Sequence, residues 1–194
     1  MGPESDSAFP KRVYLRRFLL EDAESLLDLR VRNRRFAKPF EPHRADAYYT
    51  LEGQKEVIET SMRHWDAGTG FAFGVFLRTD DVQSNGLLVG HVNLSNVVRA
   101  AWESCTLGYF IDEGHNGRGV ATESVGRAVH FAFDEAALHR VQAAVMPRNG
   151  ASIRVLEKAG FRREGLSARY LKIDGDWEDH LLYAVTREEW GDSA

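Results

Sequence analysis

Read for its hydrophobic and polar positions, the chain moves between short alternating runs and amphipathic stretches of helical period. Arg12–Phe18 sets Val13 and Leu15 two residues apart, as a first strand does. Glu21–Asn33 puts Ala23, Leu26, Leu27 and Val31 near a helical period with acidic residues in the opening turn, which predicts a helix. Pro39 and Pro42 mark a loop. Thr50–Gly68 predicts a second helix, with Val57, Ile58, Met62 and Trp65 on one side and Gly68 ending it. Three strand-like segments follow, Gly70–Thr79, Leu87–Arg99 and Ala100–Asp112, the first two joined by the turn Asp80–Gly86. Beyond them Ala121, Val125, Ala128, Val129, Ala132 and Phe133 share one helical face. Arg140–Met146 reads as a short buried strand, Asn149–Phe161 as a helix stopped by Gly160, and Arg162–Leu171 and Trp177–Thr186 as two last strands. No repeat, linker or low-complexity tract interrupts this pattern. It predicts one domain of mixed α/β character over residues 12–190, with a disordered tail at 1–11 and a short tail at 191–194.

Composition narrows the class. A chain of 194 residues can bury a proper core, and 43% hydrophobic with 28% charged residues is ordinary for a globular protein. The longest apolar runs, such as Gly70–Leu77, are too short to cross a bilayer, so no membrane role is expected. The opening MGPESDSAFPKR lacks the apolar core of a secretory leader, and Pro3 argues against myristoylation. The single Cys105 can form neither an internal disulfide nor a thiolate metal cage, and His91, His115, His130 and His139 share no ligand spacing. The expectation is a cytoplasmic enzyme or binding protein without a metal.

A net charge of −4 speaks against a general nucleic-acid binder. The distribution is uneven, however. Arg30–Phe40 carries five basic residues and no acid, while Asp174–Asp179 carries four acids. Each run reads either as solvated surface or as a working edge: the basic one toward RNA or a phosphate-bearing ligand, the acidic one toward a cationic acceptor.

The candidate chemistry lies in Gly114–Val125, where three glycines within six residues run straight into a helical pattern. Glycine lets backbone N–H groups approach a ligand, and the unpaired amides of a helix N-terminus favour an anion. A Walker A loop would need a lysine and a hydroxyl after its last glycine, but Val120 and Ala121 follow Gly119. A dinucleotide fingerprint would need glycine where Thr122 stands and an acid near position 139, which is His139.

A strand ending in LGYFID, the loop NGRGVA, an amphipathic helix and then NGASIRVLEKAGFRREG together resemble the GNAT superfamily of acetyl-CoA-dependent N-acetyltransferases. The family's Gln/Arg-x-x-Gly-x-Gly/Ala loop is met by Asn116, a departure at the first position, with Gly119 and Ala121. Its Asn-x-x-Ser and Lys-x-Gly-Phe signature is met by Asn149, Ser152, Lys158, Gly160 and Phe161. The Cys105–Tyr109 run and the ending YLKIDGDWEDH are similar to the RimJ branch of ribosomal-protein acetyltransferases.

The resemblance implies a GNAT fold: a mostly antiparallel, twisted sheet of about seven strands, splayed at the coenzyme site and flanked by about four helices. It implies direct attack of a neutral amine on the thioester, in a ternary complex. Asn116, Gly117, Arg118, Gly119, Val120, Ala121 and Thr122 would hold the pyrophosphate, with Tyr109, Phe110 and Ile111 along the pantetheine and a backbone N–H near Leu107–Tyr109 polarising the carbonyl. Ser152 would protonate the departing thiolate and Asn149 would position the coenzyme; Asn149 is equally a favoured helix cap. The family's strand glutamate is replaced here by Thr106, which leaves Glu103 as a candidate catalytic base, with Glu164, Asp179 and His180 behind it. A strong base is less needed for an α-amine, since its pKa near 8 leaves roughly a tenth neutral at pH 7. Tyr170, Trp177 and Asp179 would bind the acceptor. The expected acceptor is the N-terminus of an alanine-headed ribosomal protein, met as monomer or homodimer, with Arg30–Lys38 as a possible ribosome or RNA contact. Two alternatives stay open: a small-amine acetyltransferase, and a non-catalytic acetyl-CoA-binding assembly module.

Overall fold

The computed structural model describes residues 12–78 and 86–191. The tail expected at 1–11 lies outside them, as do residues 192–194 and nearly all of the Asp80–Gly86 turn. Seven strands are observed: β1 (Val13–Arg17), β2 (Phe71–Leu77), β3 (Leu87–Val98), β4 (Ser104–Ile111), β5 (Arg140–Val145), β6 (Arg162–Ile173) and β7 (Asp176–Thr186). The helices are α1 (Ala23–Arg32), α2 (Arg34–Ala37), α3 (Leu51–Asp66), α4 (Val120–Asp134), α5 (Gly150–Lys158) and α6 (Arg187–Gly191). The strands form one sheet in the order β1-β2-β3-β4-β5-β7-β6, in which only β4 and β5 run parallel.

Strand alternation sends neighbouring side chains to opposite faces. Val89 and Ile111 join Val125, Ala128, Val129, Ala132 and Phe133 of α4 in the larger core, whereas Leu88 and Phe110 join Leu26 and Leu29 of α1 and Ile58 of α3 in a second one. The helix face read for α4 is therefore the buried one. Thr50 caps α3 by accepting from the Gly53 N–H at 3.1 Å, and Gly160, at φ +79°, ends α5 as expected.

Three local expectations are corrected. On α1 the inward face carries Leu29 and Arg30, whose guanidinium pairs with Glu41 at 3.2 Å, while Val31 is exposed. The segment before Pro39 and Pro42 is not plain loop: α2 and a 3-10 turn at Lys38–Phe40 occupy it. The third strand of the meander starts at Ser104 rather than Ala100, since Ala100 (φ +59°) and Glu103 (φ +38°) form the turn. Between β6 and β7, Asp174 and Gly175 both take positive φ, as a two-residue hairpin turn requires.

Candidate active site

The site is a gap in the sheet. β4 and β5 pair from Ser104↔Arg140 only as far as Leu107↔Ala143, and both strands then continue, to Ile111 and Val145. Beyond that point a cleft of about 600 Å³ opens between them. Gly108, Tyr109, Phe110 and Ile111 line one wall, and Ala144, Val145 and Met146 the other. Gly108–Ile111 therefore present main-chain groups toward β5 with no strand partner there, an edge that an extended amide-bearing chain can satisfy.

One end of the cleft is the glycine loop. Asn116, Gly117, Gly119, Ala121 and Thr122 line it. Gly117 and Gly119 have φ of +73° and +79°, and no atom lies within 4 Å of where a Cβ on Gly117 would stand. Gly119 is the N-cap of α4 and supplies no side-chain acceptor, so the first amides of a 15-residue helix face the loop. These features fit a diphosphate. Val120 and Arg118 do not line the cleft: Val120 is 3% exposed in the core, and the Arg118 carbonyl accepts from Arg12 Nη1.

The loop is fastened at both ends. Glu123, buried in the first turn of α4, accepts from the backbone N–H groups of Arg12 (3.1 Å) and Val13 (3.2 Å) and from Arg127 Nη2 (2.9 Å). Before the loop, Asp112 accepts from Arg32 Nη2 at 2.7 Å and from the Gly114 N–H at 3.2 Å. Burial alone would raise the Asp112 carboxyl, but these bonds hold it below the usual range.

Across the cleft, α5 brings in the chemistry. Asn149 caps this helix by accepting from the Ser152 N–H at 3.1 Å, and both residues line the cleft. Ser152 Oγ lies 2.6 Å from the Tyr109 hydroxyl. Burial pushes the Tyr109 phenol up to about 12, against the opposing effect of the Ser152 bond, so it keeps its proton at neutral pH. Arg154 and Lys158, four residues apart on α5, add two cations to the wall.

The other end is closed by pieces distant in sequence. Phe36, Ala37, Phe40 and Glu41 line it from the α2 segment, and His180 from β7. The β6–β7 turn is latched to that segment: the Asp174 N–H donates to the Glu41 carbonyl at 3.2 Å, and Lys38 stands 3.6 Å from Asp174. Arg148 ties the Pro39 carbonyl (3.1 Å) to Glu178 (2.6 Å). Nothing in the pattern around Pro39 and Pro42 announces this role.

Several candidates fall elsewhere. Glu103 does not line the cleft; it sits at the far, paired end of β4, where its carbonyl accepts from the His139 and Arg140 N–H groups. Glu164 is held by Arg140 and Arg162 on the surface. Asp179 accepts from the Arg169 N–H at 2.8 Å and so shapes the irregular stretch of β6 between Ser167 and Leu171. Tyr170 lies 5.8 Å from the His180 ring, and Trp177 is 62% exposed outside the cleft. Four residues of the basic run have acidic partners. Arg30 pairs with Glu41, Arg32 with Asp112, Arg34 with Asp46 and Lys38 with Asp174.

Comparison with known proteins agrees with this geometry. Residues 12–162 match the family model described as an acetyltransferase (GNAT) domain. A probable N-acetyltransferase of Bacillus subtilis, YjcK, is 43% identical over 90% of this chain and 94% of its own. The ribosomal protein uS5-alanine N-acetyltransferase of Escherichia coli is 35% identical over 87% of this chain and 84% of its own. The structure of Mycobacterium smegmatis RimJ in complex with CoA-disulfide superposes with a TM-score of 0.85 at 31% identity, covering 91% of this chain and 83% of that one. Among the described residues no helix is long and apolar enough to cross a membrane. The splayed strands, the glycine loop at the start of α4 and the Tyr109–Ser152 pair thus belong to a member of the GNAT acetyltransferase family, an acetyl-CoA-dependent N-acetyltransferase.

Proposed function

We propose that this enzyme acetylates the N-terminal α-amine of a protein, an alanine-headed ribosomal protein, in the cytoplasm and as one domain spanning residues 12–190. The observation that carries this reading is the similarity, over most of both chains, to an enzyme named for the N-terminal alanine of a ribosomal protein. In this reading the chain terminus is seated at the cleft end lined by Phe36, Phe40, Glu41 and His180.

The chain's residues then divide the work. The amides of Gly117–Thr122 and the α4 N-terminus take the pyrophosphate, with Arg154 and Lys158 adding positive charge along the wall. The unpaired edge of Gly108–Ile111 takes the pantetheine in strand-like fashion, and a backbone N–H at Leu107–Tyr109 polarises the thioester carbonyl. The thioester supplies the activated acetyl group. Tyr109 and Ser152, hydrogen-bonded to each other, deliver a proton to the departing sulfur. Holding both reactants in one cleft supplies most of the remaining acceleration.

The test is release of CoA thiol from acetyl-CoA with two peptides, each beginning with alanine and carrying an internal lysine, one of them N-terminally blocked. Release with the free peptide alone is expected. Release with both would move the target to lysine. Release with neither, but with a polyamine, would make a small amine the acceptor.

A further inference from the structure

The cleft needs a group that takes a proton from the acceptor, and Glu103 is not placed to do so. Two side chains lining the cleft carry a carboxylate or imidazole able to act as a base, Glu41 and His180. The Glu41 carboxylate is committed to the buried guanidinium of Arg30, at 3.2 Å. His180 is 3% exposed, yet it lines the cleft. Its Nδ1 stands 3.0 Å from the Glu178 carbonyl oxygen. A carbonyl can only accept, so Nδ1 carries the hydrogen and the neutral ring keeps its lone pair on Nε2. Among the described residues Nε2 has no hydrogen-bond partner, and it is not among the polar atoms sealed from solvent without one. In a residue walled in on its other sides, it opens on the cleft.

We propose that His180 Nε2 is the general base, accepting the proton of the acceptor ammonium bound in the cleft. The inference rests on the acetyl-transfer reading and adds the residue it lacked. The proton count closes. One of the three ammonium protons passes to His180 and on to solvent. The freed nitrogen lone pair forms the C–N bond to the acetyl carbon while the C–S bond breaks. A second nitrogen proton replaces, through Ser152, the one that Tyr109 gives to sulfur, and the third stays on the amide. The charged and titratable groups around His180 are Glu178 with its partner Arg148 on the β7 side, Tyr170 from β6, Glu41 with Arg30 across the cleft, and the Tyr109–Ser152 pair beyond.

His180→Asn keeps a donor for the Glu178 carbonyl and removes the base. With an alanyl peptide as acceptor, kcat/KM at pH 7 is expected to fall by about 10²- to 10⁴-fold. The KM for acetyl-CoA should hold, and the loss should shrink above pH 9, where the amine is already neutral. An arm without any variant compares wild-type kcat against pH for an alanyl peptide and its β-alanyl analogue, whose amine is more basic. The acid limb is expected to stay put, because it belongs to the enzyme. A limb that moves with the acceptor's amine, a His180→Asn rate within about twofold of wild type, or a loss equal at pH 7 and pH 9.5 overturns the assignment. Absence of thiol release from the wild type with any amine would instead overturn the acetyl-transfer reading beneath it.

Discussion

Replacement of Glu123 by alanine tests whether the diphosphate loop is built from outside itself. In the fold this carboxylate is 2% exposed and meets two backbone N–H groups of the β1 entry and the Arg127 guanidinium. Alanine leaves a buried N–H group, that of Val13, and a partly buried one, that of Arg12, without an acceptor, and the Arg127 cation without its partner. Removing one member of such a buried, hydrogen-bonded pair costs about 3–5 kcal/mol. For a chain of this size each kcal/mol moves Tm by about 2–4 °C, so a fall of roughly 6–20 °C is expected. Glu123→Gln keeps an acceptor for the β1 amides and should recover part of it. Because Glu123 sits one turn after Gly119, and Arg12 also holds the Arg118 carbonyl, acetyl-CoA affinity should fall with stability. Thermal melts with and without acetyl-CoA, and titration calorimetry, read both effects. Adding Arg127→Ala to Glu123→Ala should cost little more, since that guanidinium has already lost its carboxylate. A Glu123→Ala protein melting within about 2 °C of wild type would refute the reasoning.

Tyr109→Phe and Ser152→Ala should each lower kcat with little change in the KM for acetyl-CoA, and the double variant should lose less than the product of the two, because the hydroxyls act as a pair 2.6 Å apart; rapid-mixing thiol release measures it, and multiplicative losses would separate their roles. Gly119→Ala places an L-residue at φ +79° with its Cβ 3.4 Å from Arg12 Nη1. At about 1–2 kcal/mol of backbone strain, Tm should fall and acetyl-CoA should bind several-fold more weakly, and unchanged calorimetric affinity would clear the loop of this geometry. Burial pushes both the Cys105 thiol and the Tyr109 phenol up to about 12, so the fold holds protons that the unfolded chain releases. Stability is therefore full below about pH 9 and should drop steadily as pH rises toward 12 in urea titrations, with Cys105→Ala flattening part of the slope. On the acid side His91, held well below its ordinary value by burial and by the Arg30 and Arg44 charges, stays neutral, so stability should fall as pH drops below about 6.5 and the unfolded chain takes up that proton.

What the sequence determined by itself was local. Periodicity located the strands and the four longer helices, since burying one face of an element fixes its repeat wherever it packs. Gly117, Gly119 and Gly160 announced their positions because left-handed backbone admits few other residues, and Asn149 announced a cap because its short side chain reaches the Ser152 N–H. The motif residues of the loop and of α5 were legible for the same reason: their chemistry is done by neighbours in the chain. What only the tertiary structure decided was how separate segments meet. The end of pairing at Leu107↔Ala143, the closing of the cleft by Phe36, Phe40 and Glu41, and the bond of Glu123 to β1 each join residues far apart in sequence. Glu103 was adjacent in sequence to the right strand and lay at its wrong end, while His180, one of the base candidates behind it, is the one that β7 sets on the cleft wall. Burial of Arg30 likewise removed it from the basic face that its neighbours implied. Charge and side-chain type are properties of single residues, whereas which partner neutralises a charge, and which atom opens on the cleft, is set by contacts that close only when the whole sheet is assembled.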